Sequence, residues 1–374
     1  MKFLQFEIKN FKGIEHCIVK LSPQGANIFT LIGLNESGKT SILEAISLFN
    51  ANRKEDDDIS KNLLTTLTSQ NPLDYIPKHL QSNFTNKISI EATLELDNNL
   101  KINLINTMRK YGYLCDNVNE IDNTMTISRK FSFKDSILQE EELDTRYIGL
   151  SYNAKKIKSK KTKKYSLFCD DSIKELDNEI YKILKNNIPR ILYFPTFIFN
   201  HPKKIYIDNS ENDIDKMYSE IFSNVAASLK NPLCLKKHII DRMEYPDKIN
   251  LLNQSLDEMA AEITGRVLGE WKNVFKRTLD NSEIIITSGQ DDKGKYLELK
   301  LKQKTSRFNI TERSIGFRWF FTFLLLTFYK SKINNDKQTP IIFLLDEPAS
   351  NLHASAQKQL LDSFPKIVDR VPGN

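Results

Sequence analysis

The segment that most constrains this chain is Gly33-Leu34-Asn35-Glu36-Ser37-Gly38-Lys39-Thr40, which fits the pattern G-x-x-x-x-G-K-[ST]. An apolar run at residues 28–32 precedes it, and apolar residues at helical spacing follow it. We therefore expect a strand, a loop and a helix in that order. Such a loop wraps phosphates with its backbone N–H groups, so the sequence predicts a nucleotide-binding site.

The chemical roles within this loop follow from its residue types. We expect Lys39 to neutralise the β- and γ-phosphates and the Thr40 hydroxyl to be a ligand of Mg²⁺. The other residues expected to line the phosphates are Gly33, Asn35, Glu36, Ser37 and Gly38.

A second chemical signal lies near the end of the chain. The apolar run at 341–345 is typical of a central parallel strand that is buried on both faces. Asp346 and Glu347 follow it, at the strand end where open α/β sheets bind ligands. We expect Asp346 to hold Mg²⁺ through water and Glu347 to polarise the attacking water as general base. The alternative is that the two acids merely end a strand before Pro348.

Hydrophobic periodicity predicts the remaining elements. The expected strands are 3–8, 14–21, 28–32, 88–97, 124–132, 190–194, 283–287, 296–302 and 341–345. The expected helices follow Thr40 and Gly316, cover 98–110 and most of 211–278, and begin near Ala354. This pattern divides the chain into an N-terminal lobe with the loop, a β-rich remainder, a helical insertion and a C-terminal lobe. Their predicted ranges are 1–50, 51–210, 211–280 and 281–374.

Composition excludes several classes of protein. The four cysteines lie far apart and form no CxxC pair, so neither a zinc site nor a disulfide framework is expected, and a cytoplasmic location fits. The longest apolar run, 319–329, is too short to span a membrane and is expected to be a buried helix. The net charge of +6 permits a nucleic-acid partner without requiring one.

A basic segment is the one feature that points toward nucleic acid. Seven lysines fall within residues 153–164, where flanking strands would form a long basic hairpin. They could contact phosphates, with the salt dependence that counterion release brings. The alternative is a solvated loop without a partner.

The motifs together resemble a known family. Residues 8–14, the G-x-N-x-S-G-K-T form of the loop, and Asp346-Glu347-Pro348 followed by residues 351–353 resemble the ABC-type ATPases of the RecF/SMC group. Within that group the resemblance is to the OLD (overcoming lysogenization defect) ATPases. Residues 312–320 are similar to their signature motif, and residues 190–196 to their Q-loop.

This resemblance implies an α/β fold: a P-loop NTPase head of the ABC type, with an antiparallel β subdomain and a helical insertion. It implies ATP and Mg²⁺ as cofactors, bound where two heads meet in a homodimer or higher homo-oligomer. Ser314 and Gly316 of one chain would face the loop of the other, and residues 349–353 would form the D-loop. Lys12 matches a basic position that contacts the nucleotide in relatives.

Two departures from the family pattern shape the functional expectation. Residues 314–318 replace the LSGGQ signature, which argues against a transporter subunit. Relatives continue with a strand that carries a switch histidine, and OLD nucleases then add a Toprim domain. We therefore expect the chain to be truncated before these parts, or a partner to supply them.

The resemblance implies an ATPase that gates a nuclease or toxin effector in prokaryotic antiviral defence, with DNA as a further partner and no membrane contact. Two alternatives stay open: a RecF/SMC-like DNA-binding repair ATPase, and a scaffold that binds ATP with little turnover.

Overall fold

The computed structural model describes residues 1–21, 28–50, 71–142, 149–157, 159, 161–170, 173–194, 201–208, 213–275, 282–330, 340–348 and 354–370. Several predicted features lie outside these ranges: the Q-loop turn at 195–196, the D-loop at 349–353, and two of the lysines in the basic segment, Lys158 and Lys160.

The described part of the chain is a mixed α/β structure. Its strands are β1 (Lys2–Phe11), β2 (Ile14–Lys20), β3 (Lys87–Glu95), β4 (Tyr113–Leu114), β5 (Thr124–Lys134), β6 (Ile137–Glu142), β7 (Ser151–Lys156), β8 (Lys163–Ser166), β9 (Arg190–Phe194), β10 (Ile205–Tyr206), β11 (Ser282–Asp291), β12 (Gly294–Gln303), β13 (Ser306–Asn309) and β14 (Ile341–Leu345). Its α-helices are α1 (Lys39–Ser47), α2 (Asn98–Lys110), α3 (Lys174–Asn187), α4 (Asp213–Ala227), α5 (Ile249–Ile263), α6 (Gly269–Phe275), α7 (Ile315–Lys330) and α8 (Ala354–Arg370).

The N-terminal strands form an antiparallel sheet in the order β2-β1-β3-β5-β6. In β3 every second side chain is buried, so the strand presents one apolar face to the core, as a period of two requires. The register pairs Ile8 with Cys17 and Phe11 with Ile14, which brings the β1–β2 turn back toward α1. The predicted strands at 3–8, 14–21, 88–97 and 124–132 are confirmed, as is the antiparallel β subdomain.

A second core lies under α7. Residues Phe317 and Trp319–Phe321 of this helix are buried, and so is nearly all of the run to Tyr329. They pack with the inner faces of β11 and β12 and with α4 and α5. The prediction of a buried helix over 319–329 is confirmed.

The predicted helical stretch 211–278 is confirmed within its described part, 213–275. It consists of α4, α5 and α6, with two π-helical turns at Lys236–Ile240 and Thr264–Leu268. Residues 228–234 interrupt it, and Pro232 within them has no N–H to donate to a helix.

The strands β9 and β14 run parallel, with Ile341 opposite Arg190 and Leu345 opposite Phe194. The ladder continues past β14, because the Asp346 N–H donates to the Phe194 carbonyl at 3.0 Å. Both predicted strands are confirmed. The expected packing of β14 on both faces is confirmed, because Ile341 belongs to the core under α7 and Leu344 to the core that the N-terminal sheet forms with α2 and α3. The expected central position is wrong within the described strands, where β9 is its one partner.

The predicted strand at 28–32 is also wrong. This described segment forms no strand, and Ile32 and Leu34 are 91% and 85% exposed. An apolar run becomes a strand only where another strand offers hydrogen bonds, and none of the described strands pairs with this run.

Among the described residues, no helix has both the length and the apolar character that crossing a membrane requires.

Candidate nucleotide site

The loop at 33–40 ends at the N-terminus of α1. Gly38 precedes the helix with φ 87°, a left-handed conformation that glycine adopts without a Cβ penalty. No side chain caps the helix at Gly38, and residues 33–37 are exposed. The first N–H groups of α1 have no partner within the helix, so they can bind an anion.

Lys39 folds back over its own loop. Its ammonium donates to the Gly33 carbonyl at 3.0 Å and to the Leu34 carbonyl at 2.6 Å. The loop is tight at Gly33, where an added Cβ would lie 2.6 Å from the Ser37 hydroxyl oxygen. The cation is therefore held at the loop, among carbonyls that are weaker partners than phosphate oxygens.

Thr40 joins the loop to the acidic strand end. Its hydroxyl oxygen lies 3.1 Å from each carboxylate oxygen of Asp346, to which it donates. The helix α1 packs against β9, β1 and β14, and this packing brings the two motifs together. The fold thus unites the loop with the end of β14, two motifs separated by most of the chain.

The environment of Asp346 is unusual for an aspartate. Burial raises the pKa of its carboxyl group, the Thr40 hydroxyl lowers it, and the negative charges of Glu347 and Glu44 raise it. Burial, reinforced by the charges of Asp346 and Glu44, likewise raises the pKa of Tyr193 on β9. Negative charge is thus concentrated at this strand end, where a bound cation would relieve it.

Glu347 differs from its neighbour. It is exposed, and its backbone is left-handed, with φ 47°. Glu36 in the loop has φ 64° and Lys12 has φ 51°. Non-glycine residues adopt this conformation at a cost, and such residues cluster at functional sites.

The donor set suits Mg²⁺, which prefers hard oxygen ligands and keeps several waters. A threonine hydroxyl and a carboxylate lie in contact at Thr40 and Asp346. Within the described ranges, no group of three or more His, Cys, Asp or Glu side chains forms a metal cage. Thr40 and Asp346 therefore fit a cation whose remaining ligands are phosphate oxygens and water.

The signature segment begins α7. The Ser314 hydroxyl accepts from the Phe317 N–H at 3.3 Å, so Ser314 is an N-cap, and it is also exposed. Gly316 is buried, whereas Ile315 between them is exposed. In the described part of the chain, no hydrogen bond joins Ser314 to the loop or to Asp346. One chain therefore does not assemble these sites into a single contact.

Arg313, just before the signature serine, is held firmly. Its guanidinium lies 5.5 Å from the ring centroids of both Phe308 and Phe317. It also donates to the Gln303 side chain at 3.3 Å. These contacts fix the start of α7 against β12 and β13.

Lys12 lies in the turn between β1 and β2, and its ammonium is 2.5 Å from the Glu44 carboxylate on α1. Glu44 is a site residue that the sequence reasoning missed. Its signal was available, because Glu44 comes four residues after Thr40 and so lies on the same face of α1. Tyr193 was missed as well, since nothing in the sequence places it beside Asp346.

The basic hairpin forms as predicted from β7 and β8. Its lysines are partly neutralised within the protein. Lys155 pairs with Asp116 at 3.2 Å and Lys163 with Asp170 at 2.8 Å. Lys156 lies 5.8 Å from the Tyr113 ring centroid. This pairing reduces the charge that the hairpin offers to phosphates.

A phosphate-binding loop at a helix N-terminus, next to a parallel strand that ends in two acids, defines a P-loop nucleoside triphosphatase. The family model described as AAA ATPase domain (AAA_15) matches residues 1–372. The chain therefore belongs to this family of ATPase domains. A comparison with curated protein sequences finds no match.

Solved structures were also compared. An SMC head bound to the C-terminal winged-helix domain of ScpA is 13% identical, with a TM-score of 0.42, over 99% of this chain and 87% of the other. The recombination mediator RecF with ATP is 12% identical, with a TM-score of 0.41, over 97% of this chain and 89% of the other. Both TM-scores lie below 0.5, too weak a likeness to support an argument about function.

Proposed function

We propose that this ATPase domain binds ATP with Mg²⁺ at Gly33–Thr40 and hydrolyses it with Glu347 as general base. The observation that carries this proposal is the contact between Thr40 and Asp346, at 3.1 Å. It joins the phosphate-binding loop to the acidic strand end, the two parts that phosphoryl transfer to water requires.

The loop binds the triphosphate through its backbone. The N–H groups of Asn35 and Glu36 and those at the start of α1 would bind the phosphates, and Gly33 and Gly38 let the chain come close. The Ser37 N–H donates to the Leu34 carbonyl at 3.3 Å and would exchange this bond for a phosphate oxygen. Lys39 exchanges its contacts with the carbonyls of Gly33 and Leu34 for phosphate oxygens. A charge-assisted hydrogen bond to phosphate is the stronger of the two.

Thr40 and Asp346 would hold the metal, Asp346 through water, and Mg²⁺ would neutralise charge that develops on the phosphates. Glu347 lies next to Asp346 and is exposed, so it can accept a proton from a water molecule at the γ-phosphate. Its left-handed backbone, with φ 47°, ends the extended conformation of β14.

The signature segment acts in a second copy of the chain. Ser314 is exposed at the N-terminus of α7, and among the described residues no hydrogen bond joins it to the loop of its own chain. A helix N-terminus with a serine hydroxyl suits a γ-phosphate held by a partner protomer. We therefore propose a homodimer or higher homo-oligomer of ATPase heads, with Ser314 and Gly316 completing the partner's site and ATP hydrolysis acting as a conformational switch.

The biological role that we propose is control of an effector in prokaryotic antiviral defence. The resemblance of residues 312–320 to the OLD signature supports it, and the effector would be a nuclease or a toxin. This role implies a cytoplasmic location. Contact with DNA is a lesser part of this proposal, because Lys155 and Lys163 of the basic hairpin are already paired with acids.

The mass of Glu347→Gln in solution, with and without ATP–Mg²⁺, tests the shared site. This variant traps bound ATP, so we expect a doubling of mass that requires nucleotide. Lys39→Met in the same background should stay at the nucleotide-free mass, and Ser314→Arg should bind ATP without doubling. A mass that ATP leaves unchanged would contradict the shared site.

The defence role needs a cellular assay. Cells that carry the gene with its neighbouring reading frames should lower phage plating, and Lys39→Met should remove the protection. Unchanged plating by the wild-type genes across a broad phage panel would contradict the role, whereas ATP hydrolysis by the protein would stand.

A further inference from the structure

A partly buried ion pair lies beside the loop, and its carboxylate, Glu44, has no role in the hydrolysis proposed above. The ammonium of Lys12 is 2.5 Å from the Glu44 carboxylate, with side-chain exposures of 29% and 18%. Glu44 is one helical turn beyond Thr40 on α1, and Lys12 is in the β1–β2 turn. The pair therefore ties this turn to the helix that carries the phosphate-binding loop.

The backbone of Lys12 is held independently of its side chain. Its φ of 51° is left-handed, and its N–H donates to the Tyr75 carbonyl at 2.7 Å. The Phe11 ring packs on Tyr75, with centroids 5.4 Å apart. A left-handed lysine is strained, so the surrounding contacts maintain a conformation that the residue alone disfavours.

The same turn lies against the loop. A Cβ added at Gly38 would find Ile14 as its nearest neighbour, with the Cγ1 atom at 3.9 Å. Ile14 follows Lys12 by two residues and opens β2. The turn thus brings a second lysine to the part of the molecule where Lys39 meets the phosphates.

Glu44 belongs to the electrostatic environment of the same strand end, since its charge acts on both Asp346 and Tyr193. An unpaired third carboxylate beside the phosphates would repel them. Pairing with Lys12 neutralises Glu44, and an ammonium retains further N–H donors after giving one to a carboxylate. An ion pair with this exposure adds little to stability, so stability alone does not account for the arrangement.

We propose that Glu44 is a positioning residue that holds the Lys12 ammonium beside the loop, so that Lys12 meets the phosphates of the nucleotide as a second cation. This inference rests on the proposed binding of ATP at Gly33–Thr40. It assigns Glu44 no contact with the nucleotide. The carboxylate acts only through Lys12.

A double-mutant cycle on ATP affinity tests this role. The variants are Glu44→Gln, Lys12→Met and the pair together, each titrated with a fluorescent ATP analogue and Mg²⁺. We expect each single change to weaken binding about tenfold to 10²-fold, the effect of losing one hydrogen bond to a charged group. The double variant should bind no more weakly than Lys12→Met, because Glu44 acts through that lysine.

A matched control lies on the same sheet. Glu7 pairs with Lys9 at 2.7 Å on β1 and with His16 at 2.8 Å on β2. Glu7→Gln removes an equivalent lysine-paired carboxylate and should leave ATP affinity unchanged. Steady-state kinetics add a second readout: Glu44→Gln should raise KM for ATP by the same factor, with kcat changed less than about twofold, as expected for lost binding.

Three results would overturn the inference: wild-type affinity in Glu44→Gln, tighter binding in Glu44→Gln, or losses that multiply in the double variant. A Glu44→Gln variant that loses both kcat and thermal stability would also oppose the inference, because such combined losses indicate a structural role. If Glu44→Gln does not fold, Glu44→Asp provides the same cycle, because it keeps the charge but withdraws the carboxylate by one methylene.

Lys39→Met separates this inference from the proposed function. If Lys39→Met abolishes ATP binding while Glu44→Gln binds normally, only the role of Glu44 fails. If the wild-type protein does not bind ATP, or Lys39→Met binds it unchanged, the proposed function itself fails.

Discussion

The hydroxyl of Thr40 donates to the carboxylate of Asp346 at 3.1 Å, across 306 residues of sequence. Thr40 is at the start of the helix that follows the phosphate-binding loop, and Asp346 ends a strand near the other end of the chain. Both residue types bind Mg²⁺ through oxygen. Their contact brings together the two residues that would hold the metal in the proposed site.

Replacing Thr40 tests whether its hydroxyl binds metal. Thr40→Val keeps the shape but removes the hydroxyl, so we expect Mg²⁺-dependent ATP affinity to fall about tenfold or more. Thr40→Ser keeps the hydroxyl and should stay within about threefold of wild type. Loss of one hydrogen bond to Asp346 should cost only about 1 kcal/mol of stability. Titration with ATP, with and without Mg²⁺, checks this, and equal binding by the Val and Ser variants would refute it.

Glu347→Gln separates binding from hydrolysis. Gln cannot accept a proton from water, so we expect the rate of ATP hydrolysis to fall about 10²-fold to 10⁴-fold. ATP affinity should change less than about threefold, because Glu347 is exposed and outside the loop. Phosphate release in a single turnover is the measurement. Glu283→Gln on β11, paired with Lys302 at 2.5 Å, is the control and should retain wild-type turnover.

Gly38→Ala tests the backbone of the loop. An alanine at φ 87° costs about 1–2 kcal/mol, and its Cβ would make only ordinary contact with Ile14. We expect lower stability together with weaker ATP binding, because relief of the strain would rotate N–H groups away from the phosphates. Gly112→Ala is the control, since Gly112 has φ 82° with no atom within 4 Å of an added Cβ. It should lose similar stability in denaturant and keep its ATP affinity.

His201 predicts a pH dependence of stability. Its Nδ1–H donates to the Pro202 carbonyl at 2.7 Å, and its ring packs on Tyr218 with centroids 4.8 Å apart. Burial lowers the pKa of His201 to about 4, from 6.5. Between these values the unfolded chain binds a proton that the folded chain does not. His201 therefore destabilises the fold as pH falls through this window, by about 3 kcal/mol when it is fully crossed.

His201→Phe removes this titrating group and keeps a ring in the core. Free energies of unfolding from pH 4 to 7 should show wild type losing stability relative to the variant below pH 6.5, with a constant difference above it. Parallel profiles for the two proteins across the whole range would contradict the prediction.

Most of the elements could be predicted from local patterns. The strand β3 buries every second residue and the helix α7 is apolar along nearly its whole length. Each pattern depends on which face of a segment is buried, so it can be recognised without knowing which element packs against that face. The loop at 33–40 and the acids at 346 and 347 were identified for the same reason, because their chemistry depends on residue type and local spacing.

Strand pairing could not be predicted in this way. The apolar run at 28–32 resembles a strand by composition, yet Ile32 is almost fully exposed and lies in none of the described strands. The run at 341–345 does pair, with β9, but keeps three half-buried side chains. A strand depends on hydrogen bonds from a distant segment, and the local pattern contains no information about where that segment lies.

The contacts that complete the site are likewise nonlocal. The Lys12–Glu44 pair, the position of Tyr193 beside Asp346 and the burial of His201 all arise when separate elements pack. The sequence thus identifies the reactive groups. Their charges, distances and proton affinities are set by neighbours that only packing supplies, because electrostatic and hydrogen-bond energies depend on separation and burial.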